Sequence, residues 1–159
     1  MGSSHQALFE VAEEYCGLIE SAQADDDDWL ASLTRLLPRL HALVAALDPI
    51  SSLPAPGLDA DLDSRFELYS HLHQTLGERD SYWMEYDSPR SSPPATGSLA
   101  DDLTDIYYDL KLGLERLNAE ADPWCTLRDW QAGFSIHWGQ HLVDAERHLY
   151  SLSARNLLA

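Results

Sequence analysis

Residues 134 to 150 read FSIHWGQHLVDAERHLY, a stretch that spaces His137, His141, Asp144 and His148 by four, three and four positions. On a helix advancing about 100° per residue, these four side chains share an arc of roughly 60°. Imidazoles at i and i+4 can present two nitrogens to one divalent ion, with a carboxylate such as Asp144 as a further ligand. The same groups can instead pair with carboxylates as a structural polar seam. The stretch lacks the intervening glutamate of H-E-x-x-H, so spacing alone leaves both chemistries open.

A source of carboxylates lies upstream. Asp102, Asp105 and Asp109 fall at helical spacing beside an apolar face of Leu99, Leu103, Ile106, Tyr107, Leu110, Leu114 and Leu117. Arg65 and His73 fall within the apolar stripe of Leu62, Phe66, Tyr69, Leu72 and Leu76. An arginine placed there needs a carboxylate, because an unpaired guanidinium in a core costs several kcal/mol. These residues define one polar seam: Arg65, His73, Asp102, Asp105, Asp109, His137, His141, Asp144 and His148. In a metal reading His137 and His141 supply two ligands, and His73 or His41 supplies the third.

The elements that must carry these residues are all helical. Apolar residues recur every three or four positions, and β-branched alternation is absent. The pattern predicts an all-α, single-domain bundle of about five helices, at 4–22, 28–47, 59–76, 98–117 and 122–152. Acids at 25–28 mark the start of the second helix, where the helix dipole favours them. Ser98 with Asp101 forms a capping box for the fourth helix, and Asp122 followed by Pro123 opens the fifth. The short connection between those two predicts an antiparallel C-terminal hairpin. Their polar edges lie on the same rotational side of their apolar faces, so the edges either face each other or both point away.

Two connections break the pattern. Residues 48–57, DPISSLPAPG, read as a loop. Residues 78–97 form a long irregular connection before the fourth helix, roughly twenty residues where compact domains use fewer. Its Tyr82, Trp83 and Tyr86 are expected to pin its first half over the core as a lid or pocket wall, with the proline-rich stretch from 88 to 94 loose beyond them.

The charge balance, 27 Asp and Glu against 10 Lys and Arg, gives a net −17. Such a field repels phosphate backbones, which excludes nucleic-acid binding through a basic surface. Cys16 and Cys125 form no CxxC pair, so neither a disulfide framework nor a thiolate zinc site is indicated. No apolar run reaches the length of a membrane span and no signal peptide is recognised, so a soluble, cytoplasmic protein is expected.

Three stretches carry a family resemblance: Tyr82-Trp83, GSLADDLTDIYYDLKLGL from Gly97 to Leu114, and DWQAGFSIHWGQHLVDAERHLY from Asp129. Together they resemble the bacterial family known as domain of unknown function 5063. Its members carry an Asp-Asp-Leu-x-Asp-Ile-Tyr stretch and a His-Trp-Gly-x-His stretch in this order. This chain has Ser135 and Ile136 where members often place an acid before the first histidine. The resemblance implies that the seam matters and implies no activity.

The first expectation for function is a non-enzymatic acidic interaction domain with a structural Asp/His/Arg seam, no cofactor, and a protein partner or second copy. A second apolar column on the fifth helix, Ile136, Val143 and Tyr150, would then be covered by helix one or two or by a dimer interface. The alternative is a metal-binding bundle, or a metal-dependent hydrolase, holding Zn, Fe or Mn through the HxxxH pair.

Overall fold

The computed structural model describes residues 2–24, 26, 28–47, 61–84, 95–120 and 122–158. The expected loop at 48–57, the first residues expected of the third helix, Tyr86, the stretch 88–94 and two of the acids at 25–28 lie outside the described residues.

Helices dominate. They are α1 (Ser3–Glu20), α2 (Trp29–Ala45), α3 (Leu62–Leu76), α4 (Leu99–Asn118), α5 (Pro123–Gly133) and α6 (Gly139–Ala154). α5 and α6 are the two parts of the expected fifth helix, joined without a break by a π-helical turn at Phe134–Trp138. Among the described residues, no helix is long and apolar enough to cross a membrane.

α4 is the centre of the bundle, packing against α1, α3, α5 and α6. Its Leu99, Leu103, Ile106 and Leu110 are fully buried. α1 adds Leu8, Val11, Ala12, Tyr15 and Ile19, and α2 adds Leu33, Leu36, Leu37, Leu40 and Val44. Two polar anchors cross this core: Tyr15 Oη donates to the Leu103 carbonyl, and Trp29 Nε1 donates to the Leu18 carbonyl, both at 2.8 Å. Each satisfies a polar tip that burial would otherwise strand.

Cross-helix pairs give the direction of the C-terminal hairpin. Arg116 meets Asp129, Asp109 meets His137 and Asp102 meets His141, so rising positions on α4 meet falling positions on α5 and α6. The hairpin is therefore antiparallel. The capping reading also holds, with Ser98 Oγ accepting from the Asp101 amide and the Asp122 side chain accepting from the Trp124 amide. At the start of α2 the cap differs from expectation. Asp28 occupies the N-cap position without a side-chain cap, and Asp26 accepts from its amide.

The connection before α4 is not wholly irregular. A 3-10 turn at Gly77–Arg79 leads into β1 (Ser81–Trp83), which pairs antiparallel with β2 (Thr96–Ser98). Tyr82 lies opposite Gly97 in this ribbon, where a Cβ would sit 2.3 Å from the tyrosine ring. Aromatic strand residues and a bare partner position suffice for so short a ribbon.

The π turn changes the phase of the last helix. Trp130 and Trp138 are eight residues apart, which on a regular helix puts them about 80° out of phase. Both are nonetheless buried, and Trp138 Nε1 donates to the Trp130 carbonyl at 3.1 Å. The extra residue in a π turn rotates everything after it by about one residue's 100°, which returns Trp138 to the core and swings His137 toward α4. Gly139 closes the turn through its amide to the Phe134 carbonyl, and a Cβ there would lie 2.2 Å from that oxygen.

Gly139→Ala should therefore destabilise the fold by about 1–3 kcal/mol, the usual cost of overpacking a filled site. Gly17→Ala in α1, where nothing lies within 4 Å of the added carbon, should stabilise it by about 0.5–1 kcal/mol. Urea unfolding of both variants checks the pair, and equal effects would remove the special role given to Gly139.

Candidate functional site

Asp102, Asp105 and Asp109 project from one face of α4 into the space between α3 and the C-terminal helices. Asp102 and Asp105 are each only 4% exposed. Buried carboxylates need compensation, and the neighbouring helices supply it. His141 of α6 sits between two of them, with Nδ1 2.8 Å from Asp102 Oδ1 and Nε2 2.8 Å from Asp105 Oδ2. His137 of the π turn places Nδ1 3.0 Å from Asp109 Oδ2 and Nε2 3.9 Å from Asp105 Oδ2. Arg65 of α3 pairs with Asp105 Oδ1 and reaches Asp101 at 3.9 Å. Tyr82 of β1 donates its hydroxyl to Asp102 Oδ2 at 2.5 Å. This is a buried Asp/His/Arg salt-bridge network, and it resolves the two alternatives left by the sequence: the polar edges of α4 and α6 face each other.

Not every expected member joins it. His73, expected in the core stripe and as a third metal ligand, is half exposed and pairs with Asp80 at 2.7 Å, stacked on Tyr69. Asp80 draws it away, because that 1%-exposed carboxylate also accepts from Ser98 Oγ and from the Ala100 amide at the start of α4. His41 pairs with Glu146 at 2.8 Å, so it does not complete the set either. His148 is buried, donates from Nε2 to the Arg79 carbonyl oxygen at 2.7 Å, and packs on the Tyr82 ring. Since a carbonyl only accepts, Nε2 of His148 carries the proton. Asp144 accepts from Gln140 Nε2 at the edge of the network. Leu62 and Phe66, read as core, are 76% and 68% exposed, because only the C-terminal end of α3, Leu72 and Leu76, is buried in the bundle.

Asp80 was missed by sequence reasoning. It has no periodic partner, and its docking onto the first turn of α4 depends on the ribbon returning the chain there. Tyr82 was singled out as a lid or pocket residue, but its bond to Asp102 carries no sequence signal.

Burial is the largest influence on the two flanking acids. It raises the pKa of Asp102 against the opposing effects of His141 and Tyr82, and raises that of Asp109 against His137. Burial, then the hydrogen bond to Asp102, pushes the Tyr82 phenol upward. Elsewhere, burial pushes the Cys16 thiol up to about 12, so it stays protonated at neutral pH and acts as packing.

The converging atoms form a candidate ligand set by their geometry. Asp105, His137 and His141 each offer one ligand atom, all within 4.8 Å of one another. An ion about 2.0–2.2 Å from each ligand allows separations up to about 4.4 Å, and the 2.8 and 3.9 Å His-to-Asp spacings fall inside that. Asp101, Asp102 and His141 form a second close group, but Asp102 there is already held by Tyr82 and His141. Beside the network lies a cavity of about 560 Å³, walled by Tyr82, His141, Asp102 and residues of α3. Trp83, expected alongside Tyr82, is exposed, and its carbonyl accepts from Arg147.

The raised carboxyl groups give stability a pH dependence of definite sign. A folded-state pKa above the unfolded one contributes stability that is fully present below the unfolded value, about 3.9 for aspartate, and is lost as pH rises through the folded value. Asp102→Asn with Asp109→Asn removes both titrations. Urea unfolding from about pH 4 to 7 should show the wild type losing stability relative to the double variant as pH rises. A constant difference, or one growing in favour of the wild type, contradicts the assignment.

Comparison with known proteins agrees with this architecture. Protein BF1032 from Bacteroides fragilis is similar in structure, with a TM-score of 0.75 and 22% identity over 95% of this chain and 92% of that one. At that identity the likeness carries the fold alone. None of the curated proteins matches. Residues 2–155 match the domain of unknown function DUF5063, which extends the relationship well beyond the C-terminal stretches that first suggested it. The chain belongs to the DUF5063 family.

Proposed function

We propose that this chain is a metal-binding helical domain whose ion is held by Asp105, His137 and His141. One observation carries the reading: each histidine has a carboxylate on its remote nitrogen, Asp109 for His137 and Asp102 for His141, while both Nε2 atoms turn toward Asp105. A carboxylate on the far nitrogen is how ligating histidines are oriented and made more basic. It favours the tautomer with the proton on Nδ1, which frees both Nε2 atoms to share a cation with Asp105.

Two imidazoles and one carboxylate suit Zn, Fe or Mn. His137 is half exposed, so a fourth position for water is reachable from solvent. The chemistry such an ion supplies is the activation of water for hydrolysis.

A second reading, the interaction domain with a purely structural seam, is favoured by a different observation. Ile136, Val143 and Tyr150, seven residues apart, are 74%, 45% and 73% exposed. There, a proton on His141 Nε2 and the Arg65 guanidinium satisfy Asp105, and the apolar column meets a protein partner or a second copy.

Metal analysis of protein purified without a histidine tag separates the two. The metal reading expects about one equivalent of Zn, Fe or Mn per chain, near-background content in His137→Ala and His141→Ala, and a lower melting temperature after chelation. Folded protein that holds no metal and takes up none from a zinc titration, with His141→Ala merely melting earlier, contradicts it.

A further inference from the structure

The cavity beside the network has two unlike walls. Its volume, about 560 Å³, is typical of small-molecule sites, which run from about 300 to 1,000 Å³. One wall is apolar: Phe66 and Tyr69 from α3 line it, with Met84 from the end of the ribbon. Phe66 is 68% exposed, whereas Leu72 on the same helix is fully buried. The change along α3 occurs where the helix passes from the core to the cavity.

The other wall is ionic and predominantly negative. Asp101, Asp102 and Asp144 line it together with Arg65 and His141. The cations there are already committed, Arg65 to Asp105 and Asp101, and His141 to Asp102 and Asp105. Asp144 accepts from Gln140 at 3.0 Å and forms no ion pair with a cationic side chain among the described residues. With Asp105 behind this wall, four carboxylates stand against one guanidinium and one imidazole. The local potential is therefore negative, in a chain of net charge −17.

We infer that this cavity binds a small organic cation with an aromatic or branched aliphatic body, its ammonium on Asp144 and its body against Phe66, Tyr69 and Met84. An anion of the same shape meets three carboxylates at the wall, and a purely hydrophilic cation leaves the apolar wall unused. The face of Phe66 or Tyr69 adds a cation–π attraction to the carboxylate contact. The site does not rest on the metal reading: His141 borders both, but Asp144, Phe66, Tyr69 and Met84, which hold the organic cation, are not ligands in that reading.

Calorimetric titration of metal-stripped protein tests this with three matched probes: phenethylamine, 3-phenylpropionate and 2-phenylethanol. The amine should bind about tenfold or more tightly than the acid or the alcohol, the equivalent of one charged contact. Asp144→Asn and Phe66→Ala should each weaken it by about fivefold to tenfold. Neither side chain is part of the core, so unchanged melting temperatures will show that both variants fold. Acid or alcohol binding as tightly as the amine overturns the inference, as does an absence of amine binding or an amine affinity unaffected by both substitutions. Because the ion is removed beforehand, failure here leaves the metal reading untouched, and loss of the metal reading leaves this one untouched.

Discussion

Asp105 is a carboxylate 4% exposed at the junction of three elements, and its charge constrains the rest of the structure. An isolated charge of this kind costs several kcal/mol, and removing one partner from a buried pair exposes that cost. Three side chains from outside α4 answer it: Arg65 on one oxygen, His141 and His137 toward the other. Each answer fixes a position. Arg65 holds the N-terminal half of α3 over α4 although its apolar residues there are not in the core. His141 sets the register of α6, and His137 requires the helix to turn its π segment toward α4. The network thus acts on geometry as well as energy, as buried polar networks do.

The same logic repeats at the start of α4 with different residues. Asp80 is buried against the first turn, where the Ala100 amide and Ser98 hydroxyl hydrogen-bond to its carboxylate. Free amides at a helix N-terminus favour an anion, and His73 completes the set from α3. This latch brings the ribbon back to α4 and so places Tyr82 over Asp102. Asp80 and Asp105 divide the work: one positions the ribbon, the other positions the last helix.

Much of this is legible in the sequence. The helices follow from apolar periodicity, and their starts from Ser98–Asp101 and Asp122–Pro123, because capping is local chemistry written in adjacent residues. The two polar columns were legible for the same reason. Whether they met was not, since a helical wheel fixes the angle of a column relative to its own core face and leaves the partner's placement free. The π turn was hidden because only Gly139 hints at it, and its slip of phase also concealed the burial of Trp130. His73 went astray because Asp80, seven residues away in sequence, outcompetes the central carboxylates once the 3-10 turn brings it close. The exposure of Phe66 could not be read from periodicity, which records an apolar stripe but not how far the bundle covers it.

The central claim is that His137 and His141 are held by Asp109 and Asp102 so that their Nε2 atoms converge on Asp105. Side-chain ¹H–¹⁵N correlation spectra of the seven histidines, recorded during addition of zinc, test it most directly. The account predicts that the Nε2 resonances of His137 and His141 shift strongly and together, with Nδ1 protons retained, while His41, His73 and His148 stay in place. Spectra in which His137 and His141 remain unmoved, or in which zinc displaces their Nδ1 protons instead, would contradict it.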